Sequence, residues 1–581
     1  MGKTPNRPNH ESDPKPASAR TARAAGGTLT SFRVAALPIL EGILKRIRLE
    51  AFLRDHLPRE DARSRVPNAT GLMVLVKNLL ISREPLYGIG EWAARHPPQL
   101  LGLTKPQLPA LNDDRVGRCL DRLFDADIPS LTLAVVAHAV GEFGVDLDEL
   151  HNDSTTVTFH GDYEAADHER TLRGKLRLAV THGHNKDHRP DLKQLLYILT
   201  VSRDGAVPVH FRVESGNATD DRSHIGTWKI LCKLTGRRDF LYVADCKLAT
   251  AENMAHLHQN GGRFLTILPR TRSEDTAFRA AVREGLDRWK QIHDKFDGDG
   301  QLIDRYRIHE PEATTAEGYR LVWYHSARKA ELDALARYKR VERTTAALTE
   351  LRAKLSSPRT RYRDHAKVAQ AVDAVLRDGD GLVIAEIQER TTETFRQDRR
   401  GRPGPDTRYV RGEATRFDLT WRIDHDQLVD ESRCDGIFPL VTNETSLSAV
   451  DLLLAYKQQP MIEKRFSQLK SDFVVAPVFL KEVSRIQALL CVYFFALLVE
   501  SLLERELRRA MAREGIESLP LYPEARACRR PTARRVIDLF EDVQRHELVT
   551  EGQTAAVFLT ELSQLQRKIL RLVEMPNAYR R

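Results

Sequence analysis

Between residues 148 and 269 the spacing of apolar residues changes, and this restricts the fold more than anything else in the 581-residue chain. LHNDSTTVTFHGDY sets Thr155, Val157 and Phe159 in alternation, the period of a strand, and places Asp153 among β-branched residues. A polar loop, GHNKDHRPDLKQ, leads to a second strand predicted over about 192–202, and VPVHFRVESGN supplies a third, with Gly205 in the connecting turn. Three strands joined this way predict an antiparallel meander. DDRSHIGTWKILCKL predicts a helix over about 220–235, and FLYVADCKLAT a short, wholly apolar strand of the kind buried on both faces. Asp245 ends that strand at its carboxyl side, where open α/β sheets carry their sites. A helix over 250–259 and the strand RFLTILP over 263–269 complete the series, and the fold class read from it is α/β with a mixed sheet.

A second stretch, AYKQQPMIEKRFSQLK, carries the chemistry. Glu463 stands seven residues after Tyr456 and seven before Lys470. At about 3.6 residues per turn, seven residues are nearly two turns, so Glu463 and Lys470 share a helix face. Ile462, Phe466 and Leu469 form the apolar stripe that would face a core. Pro460 lacks an amide donor and disfavours a helical residue before it, so the Glu463 helix is predicted to begin at Pro460, with Tyr456 ending a preceding helix or lying in the joint. An ordinary amphipathic helix with solvated charges has the same pattern.

This stretch resembles the signature of one branch of insertion-sequence DDE transposases: Tyr, two residues, Arg, three residues, Glu, six residues, Lys. Tyr456, Glu463 and Lys470 match, and Gln459 holds the place of the arginine. The order of strands and helices resembles the ribonuclease H-like fold, in which the first acid lies on the first strand, the second at the end of the fourth and the third on a helix after the fifth. Asp153, Asp245 and Glu463 fall in those places. The resemblance implies a ribonuclease H-like mixed sheet with helices on both faces, interrupted by an α+β insertion subdomain, plus helical N- and C-terminal regions. It also implies that the three acids hold two Mg²⁺ ions (or Mn²⁺ in their place), with Tyr456, Gln459 and Lys470 on DNA. Double-stranded DNA, as inverted-repeat ends and as target, is the implied partner, bound by a homodimer on paired ends.

The rest of the chain divides around this core. Residues 1–28, rich in Pro, Ser, Ala and Arg, read as a disordered basic tail. Residues 29–147 read as a helical domain, with segments 35–56, 69–82, 85–94 and 128–143 at helical spacing. ALNDDRVGRCLDRLFDAD reads as a helix capped by Asn112 or Asp113, with Val116, Leu120 and Leu123 buried and Arg115, Arg118 and Arg122 opposite. In transposases of this kind the N-terminal helical domain binds the terminal repeats, which makes Arg115 and Arg118 candidate DNA contacts; a plain packing domain is the competing reading. The core is predicted over 148–270 and 436–515, the insertion over 271–435 and a helical C-terminal region over 516–581. Within the insertion, 326–378 reads as a two-helix hairpin, 381–391 and 415–424 as strands, QDRRGRPGPDTRYVRG between them as a basic loop, and IFPLVTN at 437–443 as the return to the main sheet.

A net charge of +9 and a pI near 9.1 favour a polyanionic partner. Six scattered cysteines without a CxxC pair argue against a structural zinc site or a disulfide framework. ALLCVYFFALLV, 488–499, is too short to span a bilayer and reads as a buried helix, so no membrane role is expected. With no signal peptide, the expectation is a cytoplasmic, nucleoid-associated bacterial protein. His182 and His184 lie in a polar loop without cysteines at ligand spacing, and DGDG at 297–300 lacks the glutamate of an EF-hand. No Walker-type loop appears, so nucleotide hydrolysis is not implied.

Overall fold

The computed structural model describes residues 21–580 apart from 25–26, 162, 164–165, 312–313, 358, 473–479, 523 and 552. The chain forms two compact units, residues 1–265 with 454–581 and residues 266–453. It is a mixed α/β protein.

Two strands, β1 (Thr21–Ala24) and β2 (Gly27–Arg33), pair antiparallel, so regular structure begins inside the segment read as a tail. The rest of that segment, 1–20, lies outside the described residues. Six helices follow: α1 (Leu37–Arg46), α2 (Leu49–His56), α3 (Asn68–Ile81), α4 (Ile89–Ala94), α5 (Asp113–Asp125) and α6 (Ile128–Phe143). Asn112 caps α5 by accepting from the Arg115 amide at 2.8 Å, which settles the choice between Asn112 and Asp113. Helices α3 and α5 approach so closely that a Cβ on Gly71 would lie 2.5 Å from Cys119 Sγ.

Next comes β3 (Glu149–Phe159), then a small hairpin, β4 (Arg170–Leu172) with β5 (Lys175–Arg177), then β6 (Lys193–Ser202) and β7 (Pro208–Ser215). Strands β3, β6 and β7 form the predicted meander; Gly205, at φ 81°, supplies the left-handed turn residue between β6 and β7. After α7 (His224–Thr235), β8 (Leu241–Ala244) pairs parallel with β3; after α8 (Ala251–Gln259), β9 (Arg263–Ile267) pairs parallel with β8. The strand order β7-β6-β3-β8-β9 makes β3 central, and its residues other than Asp153 and Thr158 are buried.

The second unit holds α9 (Ser273–Arg283), β10 (Lys290–Phe296), β11 (Leu302–His309) and β12 (Arg320–Ser326). The expected helical hairpin follows as α10 (Ala327–Ser356) and α11 (His365–Arg377). The two strands expected around the basic loop are longer than predicted: β13 (Val383–Gln397) and β14 (Tyr409–Ile423) pair over all fifteen residues. Their base packs with α10 and α11 around Leu348, Val368, Leu382, Phe417 and Leu419. After α12 (His425–Ser432), β15 (Ile437–Thr442) pairs with β12.

The chain returns through α13 (Ala449–Tyr456) and α14 (Pro460–Ser467) to α15 (Val483–Arg513). Helix α15 is long and apolar enough to cross a membrane, but 94% of its most apolar window is buried inside the protein. It packs on β7, where Phe494 stacks on Phe211 at 4.7 Å, and on α3 and α5. Beyond it lie α16 (Ala533–Leu539), β16 (Gln544–Thr550), β17 (Gln553–Leu559) and α17 (Gln564–Leu572). The region 516–581 is therefore not all helical. QRHELVT and QTAAVFL pair antiparallel as a hairpin, and β16 pairs with β2 to give a four-stranded sheet, β1-β2-β16-β17. Thr30 pairs with Glu547, a separation in sequence that no local pattern reports.

Candidate active site

Strand register brings the two aspartates together. Asn152 of β3 is paired in parallel with Ala244 of β8. Asp153 is the next residue on β3 and Asp245 the first beyond β8, so the register sets their backbones about 5 Å apart. Asp245 lies past the end of β8 and caps a single turn, Cys246–Leu248, by accepting from the Lys247 amide at 3.0 Å. Asp153 Oδ1 accepts the Ser154 amide at 2.7 Å and lies 3.6 Å from the Lys186 ammonium.

Glu463 comes from α14, and its helix begins at Pro460 as expected. Tyr456 ends α13, and single turns at Gln458 and Gln459 join the two helices. Past Ser467 the chain takes one π-turn, Gln468–Asp472. Tyr456 therefore lies on the preceding helix, as expected from Pro460, while the π-turn carries Lys470 off the regular α-helical spacing from Glu463. Ile462, Phe466 and Leu469 are buried as the stripe predicted, and Glu463 is exposed.

One hydroxyl senses all three acids. Burial raises the Tyr456 phenol above its ordinary value, and the negative charges of Asp245, Asp153 and Glu463, with Cys246, push it the same way. Tyr456 thus stays a neutral hydrogen-bond donor amid the acids. Burial and the Asp245 charge likewise raise the Cys246 thiol, while Lys247 and Lys186 oppose them. Among the described residues, no three His, Cys, Asp or Glu side chains lie close enough together to chelate a single ion. By donor type the acids suit a hard divalent cation, since all three offer carboxylate oxygens.

A buried ion-pair network holds α14 in place. Arg465, 1% exposed, donates to Gly205 O and Ala206 O at 2.9 Å each, to Gln468 Oε1 at 2.6 Å and to Glu504 Oε2 of α15 at 3.1 Å. Burial opposes ionisation of Glu504, but Arg465, Lys464, Arg508 and the Ala533 amide outweigh it and lower its pKa. The turn after β6 is thereby tied to the helix that carries Glu463.

Residues 29–137 match a family model described as "Domain of unknown function (DUF4277)". No curated protein matches the chain. Among solved structures it is similar to the cryo-EM structure of piggyBac transposase synaptic complex with hairpin DNA, at 11% identity and a TM-score of 0.23, over 48% of this chain and 58% of that one. The chain thus spans little more than half the length of that transposase chain, and a TM-score of that size says nothing about shared activity.

The remaining site residues are placed as follows. Lys470 donates to both oxygens of Asp187, at 2.6 and 2.7 Å. Gln459 has its Nε2 buried without a hydrogen-bond partner among the described residues. Arg115 is not on the solvent side of α5. It donates to Val66 O at 2.9 and 2.5 Å, to Asn68 Oδ1 at 2.7 Å and to Glu60 at 3.1 Å, which makes it a clamp on the start of α3. Arg118 is exposed and pairs with Asp114 one turn back. Sequence reasoning missed Lys186, Asp187 and Arg465. The first two belong to a charged run, NKDHRPD, in a polar loop, and nothing local distinguishes them from solvated charges.

Proposed function

We propose that this chain is a DDE transposase with a ribonuclease H-like core, which cleaves the ends of an insertion sequence and joins the 3′-hydroxyl ends to target DNA. The observation that carries this reading is the register Asn152–Ala244, which sets Asp153 beside Asp245, together with the phenol of Tyr456, on which Glu463 also acts. In this reading Asp153, Asp245 and Glu463 would hold the divalent cations, Mg²⁺ or Mn²⁺, which would supply an activated water and charge stabilisation at the leaving 3′ oxygen. Lys470 grips a terminal phosphate as a point charge, and Tyr456 donates a hydrogen bond to a phosphate oxygen. Gln459 offers an amide where the family has a guanidinium, which gives a neutral contact in place of a charged one. Paired ends call for two copies of the chain on DNA.

The test uses inverted-repeat duplexes and pre-cleaved ends with Mg²⁺, against the same reactions in EDTA. Metal-dependent cutting and joining are expected. Asp245→Asn lowers both at least about a thousandfold, the scale of the several kcal/mol that metal assistance supplies, and leaves end binding intact. Cleavage that persists in Asp245→Asn ends the assignment. A second reading, a DNA-binding descendant without cleavage, is favoured by Gln459 and by the lack, among the described residues, of a preassembled three-acid chelate. It predicts binding with neither cutting nor joining, whereas a plain nuclease cuts without joining.

A further inference from the structure

The turn 185–187, in the loop before β6, touches the elements that carry the candidate site. Asn185 is buried; its Oδ1 accepts the amides of Asp187 at 2.8 Å and Arg189 at 3.1 Å, and its Nδ2 donates to Gln194 Oε1 at 2.9 Å. Gln194, itself 1% exposed, donates to Gly216 O at 2.8 Å and His184 O at 3.2 Å. A backbone pinned this way aims the next two side chains. Lys186 donates to the Ser154 carbonyl at 2.8 Å and hydroxyl at 2.5 Å, and its ammonium lies 3.6 Å from Asp153 Oδ1. Asp187 holds the Lys470 ammonium on both carboxylate oxygens and accepts from Thr156 Oγ1 at 3.5 Å. Two consecutive residues of opposite sign thus each face a site residue of the other sign.

We propose that residues 185–187 form an electrostatic latch, in which Asp187 masks Lys470 from DNA phosphate and Lys186 holds the charge of Asp153 until a divalent cation takes it. This rests on the transposase reading. A phosphodiester and a carboxylate compete for the same ammonium, and a carboxylate held where phosphate must sit also repels it. The pairs are partly exposed, with Lys186 and Asp153 side chains at 30% and 21% and Lys470 and Asp187 at 28% and 40%. Pairs of that kind shift an equilibrium only by a factor of roughly two to five, so ligands exchange them readily. Opening the latch leaves Lys470 and Lys186 facing phosphate and Asp153 facing the cation.

The test measures binding of full-length protein to a labelled duplex by fluorescence anisotropy, at fixed salt in EDTA. Asp187→Asn, which keeps the side chain's shape, is expected to bind about fivefold tighter with an unchanged thermal midpoint; Asp187→Ser serves if the first variant misfolds. The gain disappears in a Lys470→Gln background, where nothing is left to unmask. Lys186→Gln is expected to bind Mn²⁺ more tightly in calorimetry without DNA, because a competing cation is gone. Unchanged or weaker DNA binding by Asp187→Asn overturns the latch, as does a gain that persists without Lys470 or unchanged Mn²⁺ binding by Lys186→Gln. Wild-type protein that cuts and joins DNA while Asp187→Asn binds no tighter overturns the latch alone. If neither protein binds or cuts duplex DNA, the transposase reading falls with it.

Discussion

His96 and His210 are buried imidazoles whose charge the fold does not welcome. Burial lowers each pKa from 6.5 to about 4; at His96 the hydrogen bond to Trp92 O opposes this, while Arg33 and Arg95 add to it, and at His210 Arg212 adds to it. Between pH 6.5 and 4 the unfolded chain binds a proton at each position that the folded chain does not, so stability rises with pH across that window. Acidification from pH 7 to 4 should therefore cost roughly 3 kcal/mol per histidine at most. His210→Phe should remove its share of the slope, read from urea unfolding at several pH values. Burial also perturbs Tyr456, raising its phenol, and there the charges of Asp245, Asp153 and Glu463 add to it. In the proposed reaction Tyr456→Phe should weaken end binding by about 1 kcal/mol, the worth of one hydrogen bond, without altering the metal requirement.

At the scale of elements, α14 depends on a charge network rather than on its length, since eight residues form a marginal helix alone. Glu504→Gln removes the carboxylate that Arg465, Lys464 and Arg508 share, and should destabilise the protein by about 3–5 kcal/mol in denaturant titrations, because it leaves a buried guanidinium uncompensated. The β13–β14 ribbon behaves differently. Its base is packed, but its tip carries the exposed Arg399, Arg400 and Arg402. Changing all three to Ala should leave the thermal midpoint unaltered. If the tip lies on DNA, the dependence of log K on log salt should become shallower by about three.

At the scale of the molecule, the four-stranded sheet β1-β2-β16-β17 ties residues near the start of the chain to residues near its end. The amides of Val34 and Ala35 donate to Val543 O at 2.9 and 3.0 Å, and Tyr579 donates its hydroxyl proton to Ala35 O. A chain beginning at residue 34 should leave β16 with an open edge, lower the thermal midpoint by several degrees and aggregate with concentration in light scattering.

Much of this was legible locally. The meander 149–215, the short strand ending at Asp245, the helix starting at Pro460 and the helical hairpin of the second unit follow from hydrophobic period and from proline's missing amide, which act within a few residues. The sheet built from β2 and β16 was not, because its partners are hundreds of residues apart and neither strand alone buries enough apolar surface to announce itself. The site divides the same way. Sequence determined that Asp153 lies on a strand, Asp245 at the end of another and Glu463 on the Pro460 helix, because those places depend on local spacing. Only the tertiary structure decided that Asp153 and Asp245 share a register, that Arg115 clamps α3 instead of facing solvent, and that Lys186 and Asp187 stand against the site. Those outcomes depend on which charged groups meet once the chain has folded, and Coulomb interactions depend on distance in space rather than on separation along the chain.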